Sequence, residues 1–444
     1  MVAQLTSQNL QEVVEKRKIA VYAGVDPSAA SLHVGNLAVL ITLLHFHLNG
    51  HKVISLIGGA TGQVGDPGGR TTERDLMAQE LVRTNTESIT RQVENFFASA
   101  REYAARRRKD QESSPPTILN NASWHSQLSF LSFLRFPGKL VRVNSLLSRE
   151  SIKARLDSTQ GISFAEFTYQ LLQAYDFWIL HKEHDVSLQI GGSDQWGNIV
   201  SGVELIRREK ALSSPQVETS DTPDQDSAYG LTIPLLTTSS GEKFGKSAGN
   251  AIWLDSKMTS IFDFYQFFVR VADADVPLYL QSLTLLSVEE IESICKEHAL
   301  HPEKRIAQRK LAAEVTELIH GDSAAKGAQM ASTILFEPTS HTALGDDLTQ
   351  ISLLLGAIGE NHPRVRKIAS EQLGAPLTKI ASSLGLVASH GKARALLQAG
   401  GLYLNNVRVT QLDKQLEASD FMGNKIAILR AGKEEHLILE LVSR

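Results

Sequence analysis

The first half of the chain alternates short apolar or β-branched runs with longer segments of helical period, which is the pattern of a parallel sheet covered by helices. Strands are expected at 19–25 (IAVYAGV), 53–59 (VISLIGG), 116–121 (PTILNN) and 186–192 (VSLQIGG). A helical segment follows each. The clearest helix starts near Leu32, carries Val34, Leu37, Ile41, Leu44 and Leu48 at helical spacing, and meets Gly50 at its end. Another runs from about Phe164 to His181. Open sheets of this kind bind ligands outside the carboxyl ends of their strands, so functional residues are to be sought there.

After Lys257 the strand signal vanishes and helical period dominates from about Ile261 to Leu335. A weaker stretch near 340–372 precedes a small, basic C-terminal segment. Residues 212–228 are polar, hold two prolines and show no apolar period, so they read as a surface insertion. The 444 residues exceed what one core usually serves, and two or three domains are expected. A net charge of −4 excludes a protein that coats nucleic acid through an overall basic surface. Any RNA contact is therefore local, at clusters such as Arg106–Lys109, Lys304–Lys310 or Lys392 and Arg394. The one cysteine, Cys295, rules out an internal disulfide, and no apolar run reaches the roughly 18 residues of a membrane span. A reducing compartment fits. The N-terminal stretch has neither a signal core nor the Arg-rich, acid-free make-up of a transit peptide.

Four constellations carry chemistry. Tyr22 to Pro27 closes the first strand, and Ser31 to Asn36 opens the first helix, whose N-terminus is a natural anion site. His33 and Asn36 are three apart and face the same anion, with Gly35 allowing close approach. Gly58 to Pro67 follows the second strand, but Gly59, Gly62 and Gly65 do not give the dinucleotide fingerprint; what it does place at a strand end is the Asp66 carboxylate. On the helix near 164–181, Tyr169, Gln173 and Asp176 share one face, and a polar row on a buried helix needs partners, from the chain or from a ligand. Gln189, on the following strand, adds a polar group. Finally, Lys243-Phe244-Gly245-Lys246-Ser247 is a lysine loop fit to clamp phosphate, although Ser240 stands where a P-loop requires glycine.

Taken together, these segments resemble class I aminoacyl-tRNA synthetases and, within them, the tyrosyl enzymes. His33-Val34-Gly35-Asn36 resembles the HIGH signature and Lys243 to Ser247 the KMSKS signature; LQIGGSDQWGN (188–198) is similar to a tyrosyl-enzyme block, and Ser389 to Val409 to an S4-type RNA-binding module. The resemblance implies a Rossmann-like α/β catalytic domain over 1–228, a linker with the lysine loop over 229–256, an α-helical tRNA-binding domain over 257–340, a linker over 341–372 and an S4-like α+β domain over 373–444. It implies that Tyr22 and Asp176 bind a phenolic hydroxyl, that Asp66, Tyr169 and Gln173 hold an ammonium group, and that Gln189 orders the pocket. Asp26, His33, Asn36, Leu231 and Lys246 would surround ATP, with Lys243 as the second loop lysine. Implied partners are L-tyrosine, ATP with Mg2+, tRNA(Tyr) and a second copy of the chain, to whose contact 130–136 (FLSFLRF) would add; no prosthetic group, resident metal or membrane is implied.

In this sequence Asn36 replaces the second histidine of the signature, and Phe244 and Gly245 replace a methionine and a serine. KFGKSAGN (243–250) and SLLSRESIKARL (145–156) resemble the mitochondrial branch, which implies the mitochondrial matrix, with the cytoplasm as the alternative. Two other readings stay open: a tryptophanyl enzyme, and a synthetase-derived RNA-binding protein such as a splicing factor.

Overall fold

The computed structural model describes residues 2–68, 77–107, 115–156, 161–213, 227–242, 244, 246–247, 250–336, 347–432 and 435–442. They fall into two compact units, Met1–Asp255 with Pro277–Ile291, and Ser256–Val276 with Glu292–Arg444.

In the first unit, strands β1 (Gln4–Leu5), β2 (Ala20–Val25), β3 (Lys52–Ile57), β4 (Thr117–Asn120), β5 (Val186–Gly192) and β6 (Tyr229–Ile233) form one sheet in the order β1-β6-β5-β2-β3-β4. All pairings are parallel except that of β1 with β6. The near-continuous apolar runs of β2, β3 and β5 suit strands covered on both faces. Strand order reverses at β2, which has β3 and β4 on one side and β5 and β6 on the other, so the switch point lies between β2 and β5. Against it packs the helix Phe164–His184, through Phe177 and Leu180 on Tyr22, Ile54 and Leu56.

Two expectations are corrected in this unit. Residues from 229 onward, expected as linker, supply β6, which is fully buried within the sheet. The first helix does not begin at Leu32: Val34–Asn36 form one 3-10 turn and the α-helix is Leu37–Leu48. The cause is a competing ladder, since Val34 N donates to Ile252 O (2.9 Å) and Leu254 N to Leu32 O (2.8 Å), which leaves His33 extended. The helix does end where expected. Gly50 takes φ +81°, and His51 N bonds back to Phe46 O at 3.1 Å.

The second unit joins what the sequence separates. Its five-stranded sheet runs in the order Val407–Arg408, Leu402–Leu404, Ile426–Ala431, Glu435–Val442, Val365–Ala369, so its edge strand lies inside the expected 341–372 linker, as does the helix Leu348–Ile358. The strands Ile426–Ala431 and Glu435–Val442 bury both faces. Ile426, Ile428 and Ile438 pack with Phe262, Ile334 and Leu335 of the helical segment and with Leu354. Ala427, Leu429, Leu437 and Leu439 pack with Leu377, Ile380 and Leu397. The alternation of the two strands thus feeds two cores at once, and the helical and C-terminal segments form one unit rather than two domains. Residues 277–291, expected in the helical domain, belong to the first unit.

Candidate active site

Tyr22 on β2 is in register with Gln189 on β5, at the switch point. Both are buried, and neither the Tyr22 hydroxyl nor Gln189 Oε1 has a hydrogen-bond partner among the described residues. A buried polar atom left unpaired costs about 1–3 kcal/mol, so two on adjacent strands call for a polar partner from outside the chain. Burial, and then the charge of Asp176, hold the Tyr22 phenol well above its usual pKa, which keeps it a protonated donor.

Asp176, on the Phe164–His184 helix, is 2% exposed. Its Oδ2 accepts from Asn121 Nδ2 (2.9 Å), and its Oδ1 from Trp124 Nε1 and His125 Nε2 (2.7 Å each). Asn121 also bonds Thr61 Oγ1 at 2.9 Å and accepts from Ala60 N at 2.8 Å. Thr61 Oγ1 in turn donates to Asp26 Oδ1, and Tyr169 donates to Asp26 Oδ2, both at 2.7 Å. One polar chain therefore links Asp176, Asn121, Thr61, Asp26 and Tyr169 across the ends of β2, β3 and β4. Gly58 makes room for it, since a Cβ there would lie 1.9 Å from Asp26 Oδ1.

Burial raises the Asp26 carboxyl to about pH 6, against the hydrogen bonds from Thr61 and Tyr169, with Asp66 and Asp176 adding to the rise. Tyr169 is likewise pushed well above the usual phenol range, by burial and then by Asp26 and Asp66. The resemblance implies Asp26 beside ATP; the structure gives its two oxygens to Thr61 and Tyr169. Asp66 is held by Gln195 Nε2 (2.7 Å) and Asn198 Nδ2 (3.3 Å) on Oδ2, and by Gly68 N (2.9 Å) on Oδ1. Gln173 is half-buried on the same helix as Tyr169 and Asp176.

The other end of the site is built by the ladder that shortens the first helix. His33 caps the 3-10 turn and bridges Trp253, and Asn36 Oδ1 accepts from His33 N at 3.0 Å. Asn36, in place of a histidine, thus serves the backbone of the turn. Residues 252–254 follow directly on the pairing of Lys246–Ser247 with Asn250–Ala251, so the lysine loop is tethered to the His33 turn. A Cβ on Gly35 would meet the His33 ring at 2.8 Å and Phe244 O at 3.8 Å. Phe244 is buried with its ring 3.9 Å from that of Tyr279, whose hydroxyl donates to Thr237 O at 2.9 Å. Leu231 is buried in β6, paired with Ile190. Lys246 is placed by its backbone alone, and Lys243 lies outside the described residues, as does 214–226 of the expected insertion.

The residues that sequence reasoning missed are Thr61, Asn121, Trp124, His125, Gln195, Asn198 and Tyr279. Asn121 ends the run read as a strand and Trp124 lies just beyond it, and Gln195 and Asn198 sit inside the conspicuous LQIGGSDQWGN, where only Gln189 was given a role. All act through another side chain, and no periodicity records such a contact.

A family model described as tRNA synthetases class I (W and Y) matches residues 14–337, and one described as the tyrosine–tRNA ligase SYY-like C-terminal domain matches 359–439. The chain is 39% identical to a tyrosine–tRNA ligase of Roseiflexus castenholzii, over 98% of this chain and 96% of the relative. It is also 39% identical to the mitochondrial tyrosine–tRNA ligase of Saccharomyces cerevisiae, over 96% and 83%. The crystal structure of a C-terminally truncated Aspergillus nidulans mitochondrial tyrosyl-tRNA synthetase superposes with a TM-score of 0.69 at 37% identity, covering 76% of this chain and 91% of that one.

Proposed function

The chain belongs to the class I tRNA synthetases (W and Y), and on that premise we propose that it is a tyrosine–tRNA ligase, which joins L-tyrosine to AMP and then to tRNA(Tyr). The observation that carries the choice of tyrosine is the buried phenol site: the Tyr22 hydroxyl and Gln189 Oε1 need partners, next to a buried, ionisable Asp176. A phenolic hydroxyl pairs Tyr22 by accepting from it and gives its own hydrogen to Asp176, which leaves Gln189 Oε1 to a second donor. Phenylalanine would leave the site's polar atoms unpaired, and tyrosyl enzymes are themselves the worked case of such discrimination. At the amino end, Asp66, Tyr169 and Gln173 take the ammonium group. Tyr169 gives its hydrogen to Asp26 and so offers the lone pairs of its oxygen to that group, while Gln195 and Asn198 set the angle of Asp66.

ATP enters as its magnesium complex at the His33 turn, with Asn36 fixing the turn, Leu231 bordering the base side and Lys243 and Lys246 neutralising the phosphates. The tyrosine carboxylate attacks the α-phosphate in line; the bond to pyrophosphate breaks, and tyrosyl-AMP remains. A ribose hydroxyl of the terminal adenosine then attacks the tyrosyl carbonyl and releases AMP. Neither step needs a protein nucleophile. Positioning and stabilisation of phosphate charge carry the rate, which is why His33 and the two lysines matter. ATP–pyrophosphate exchange tests the reading: exchange with tyrosine but with neither phenylalanine nor tryptophan is expected, and exchange driven by tryptophan would overturn it.

Two finer points belong to the same proposal. The chain pairs with a second copy through the 130–164 region, where Phe130, Leu131, Val143 and Phe164 are exposed by 62, 71, 58 and 67%, a density of apolar side chains that a monomer surface seldom carries. Light scattering should give twice the mass of one chain, and Leu131→Asp with Phe164→Asp should give a monomer; a monomeric wild type would refute the pairing. The likeness to two fungal mitochondrial enzymes supports the mitochondrial matrix, and a fluorescently tagged full-length protein that stays outside mitochondria would refute that address.

A further inference from the structure

His125 is the residue the family argument does not use, and it is in direct contact with the recognition carboxylate. Its Nε2 lies 2.7 Å from Asp176 Oδ1, the oxygen that Trp124 Nε1 also reaches at 2.7 Å, while Asn121 Nδ2 reaches Oδ2 at 2.9 Å. Indole and amide N–H groups only donate, and an ionised carboxylate only accepts, so the hydrogen of His125 is assigned to Nε2. A carboxylate presents about four lone-pair sites. Three are taken by the chain, two of them on Oδ1. One acceptor remains, on Oδ2.

We propose that His125 is a specificity-determining positioning residue: by filling the second lone pair of Oδ1, it leaves Asp176 a single open acceptor that only a hydroxyl donor satisfies. The imidazole suits this task because its side chain is 8% exposed and wedged between the rings of Trp124 and Tyr175, at 6.4 and 5.7 Å. Water does not readily replace a donor that is sealed in this way. Without His125, Oδ1 would be free to take a water or to turn toward the pocket. The unpaired acceptor that penalises phenylalanine would then have a second way to be satisfied. The inference rests on the proposed reading of Asp176 as the partner of the phenol.

The test is ATP–pyrophosphate exchange by the full-length protein with tyrosine and with phenylalanine, for wild type, His125→Leu and His125→Gln, with melting temperatures measured in parallel. In His125→Leu the ratio of kcat/KM for tyrosine over phenylalanine should fall about tenfold to a hundredfold, the range for losing one hydrogen bond to a charged group. The loss should sit mainly in KM for tyrosine. His125→Gln, which keeps an N–H donor, should recover most of it. Should the leucine variant not fold, His125→Phe replaces it, filling the gap between Trp124 and Tyr175 without a donor. An unchanged ratio in a folded donor-free variant overturns the proposal, as does a glutamine variant no better than leucine. A wild type that does not select tyrosine overturns the reading of Asp176 itself, and this inference with it.

Discussion

At the scale of the residue, burying a carboxylate beside other carboxylates raises the cost of charging it. Asp26 shows this, because burial, with Asp66 and Asp176 nearby, lifts its pKa from 3.8 to about 6. The folded state therefore holds a proton there that the unfolded chain has already lost. Stability from this group is thus greatest below pH about 4 and falls as pH rises through about 6. Replacing Asp26 with asparagine removes that dependence. Urea denaturation should show wild type losing ground to Asp26→Asn by about 3 kcal/mol between pH about 4 and pH about 7, and a gap independent of pH would contradict the account. At this scale the sequence was most legible. Tyr22, Tyr169, Asp176 and Gln189 were visible as polar side chains on apolar elements, whereas Asn121 and Thr61, which link Asp176 to Asp26 and Tyr169, looked like ordinary turn residues.

At the scale of the element, the helix Phe164–His184 presents Tyr169 and Asp176, so its seating fixes the proposed pocket. Part of that seating is an ion pair. Arg155 and Glu166 are 1% and 2% exposed, joined at 2.8 and 3.2 Å, and Arg155 also donates to Gly161 O at 3.1 Å. Such a pair is weak evidence for net stability, but breaking it strands a buried charge. Arg155→Leu should cost about 3–5 kcal/mol in chemical denaturation, and adding Glu166→Leu should return most of that; an Arg155→Leu protein as stable as wild type would show the pair to be idle. Helical period revealed the helix to within three residues of its end, since His184 is its last residue and Asp185 turns left-handed. The 3-10 turn at Val34–Asn36 was hidden, because it depends on residues 252–254, which are distant in sequence and bond its backbone.

At the scale of the whole molecule, every residue placed in the pocket belongs to the unit Met1–Asp255 with Pro277–Ile291, while the C-terminal sheet belongs to the other. A chain ending after residue 336 should therefore keep tyrosine-dependent pyrophosphate exchange within about threefold of wild type and lose tRNA charging by more than about tenfold, as expected when binding energy remote from the reacting centre is removed. It should also melt earlier, because Phe262, Ile334 and Leu335 lose the strands that cover them; loss of exchange would place part of the pocket in the removed segment. The sequence by itself determined the α/β class and the polar helix face, because local period is written along the chain. Only the tertiary structure decided that β6 completes the sheet, that the helical and C-terminal segments share a core, and that Asp176 is held by three donors. Those outcomes depend on which side chains meet across long loops, and a strand whose two faces are both apolar does not say in advance which neighbours will cover them.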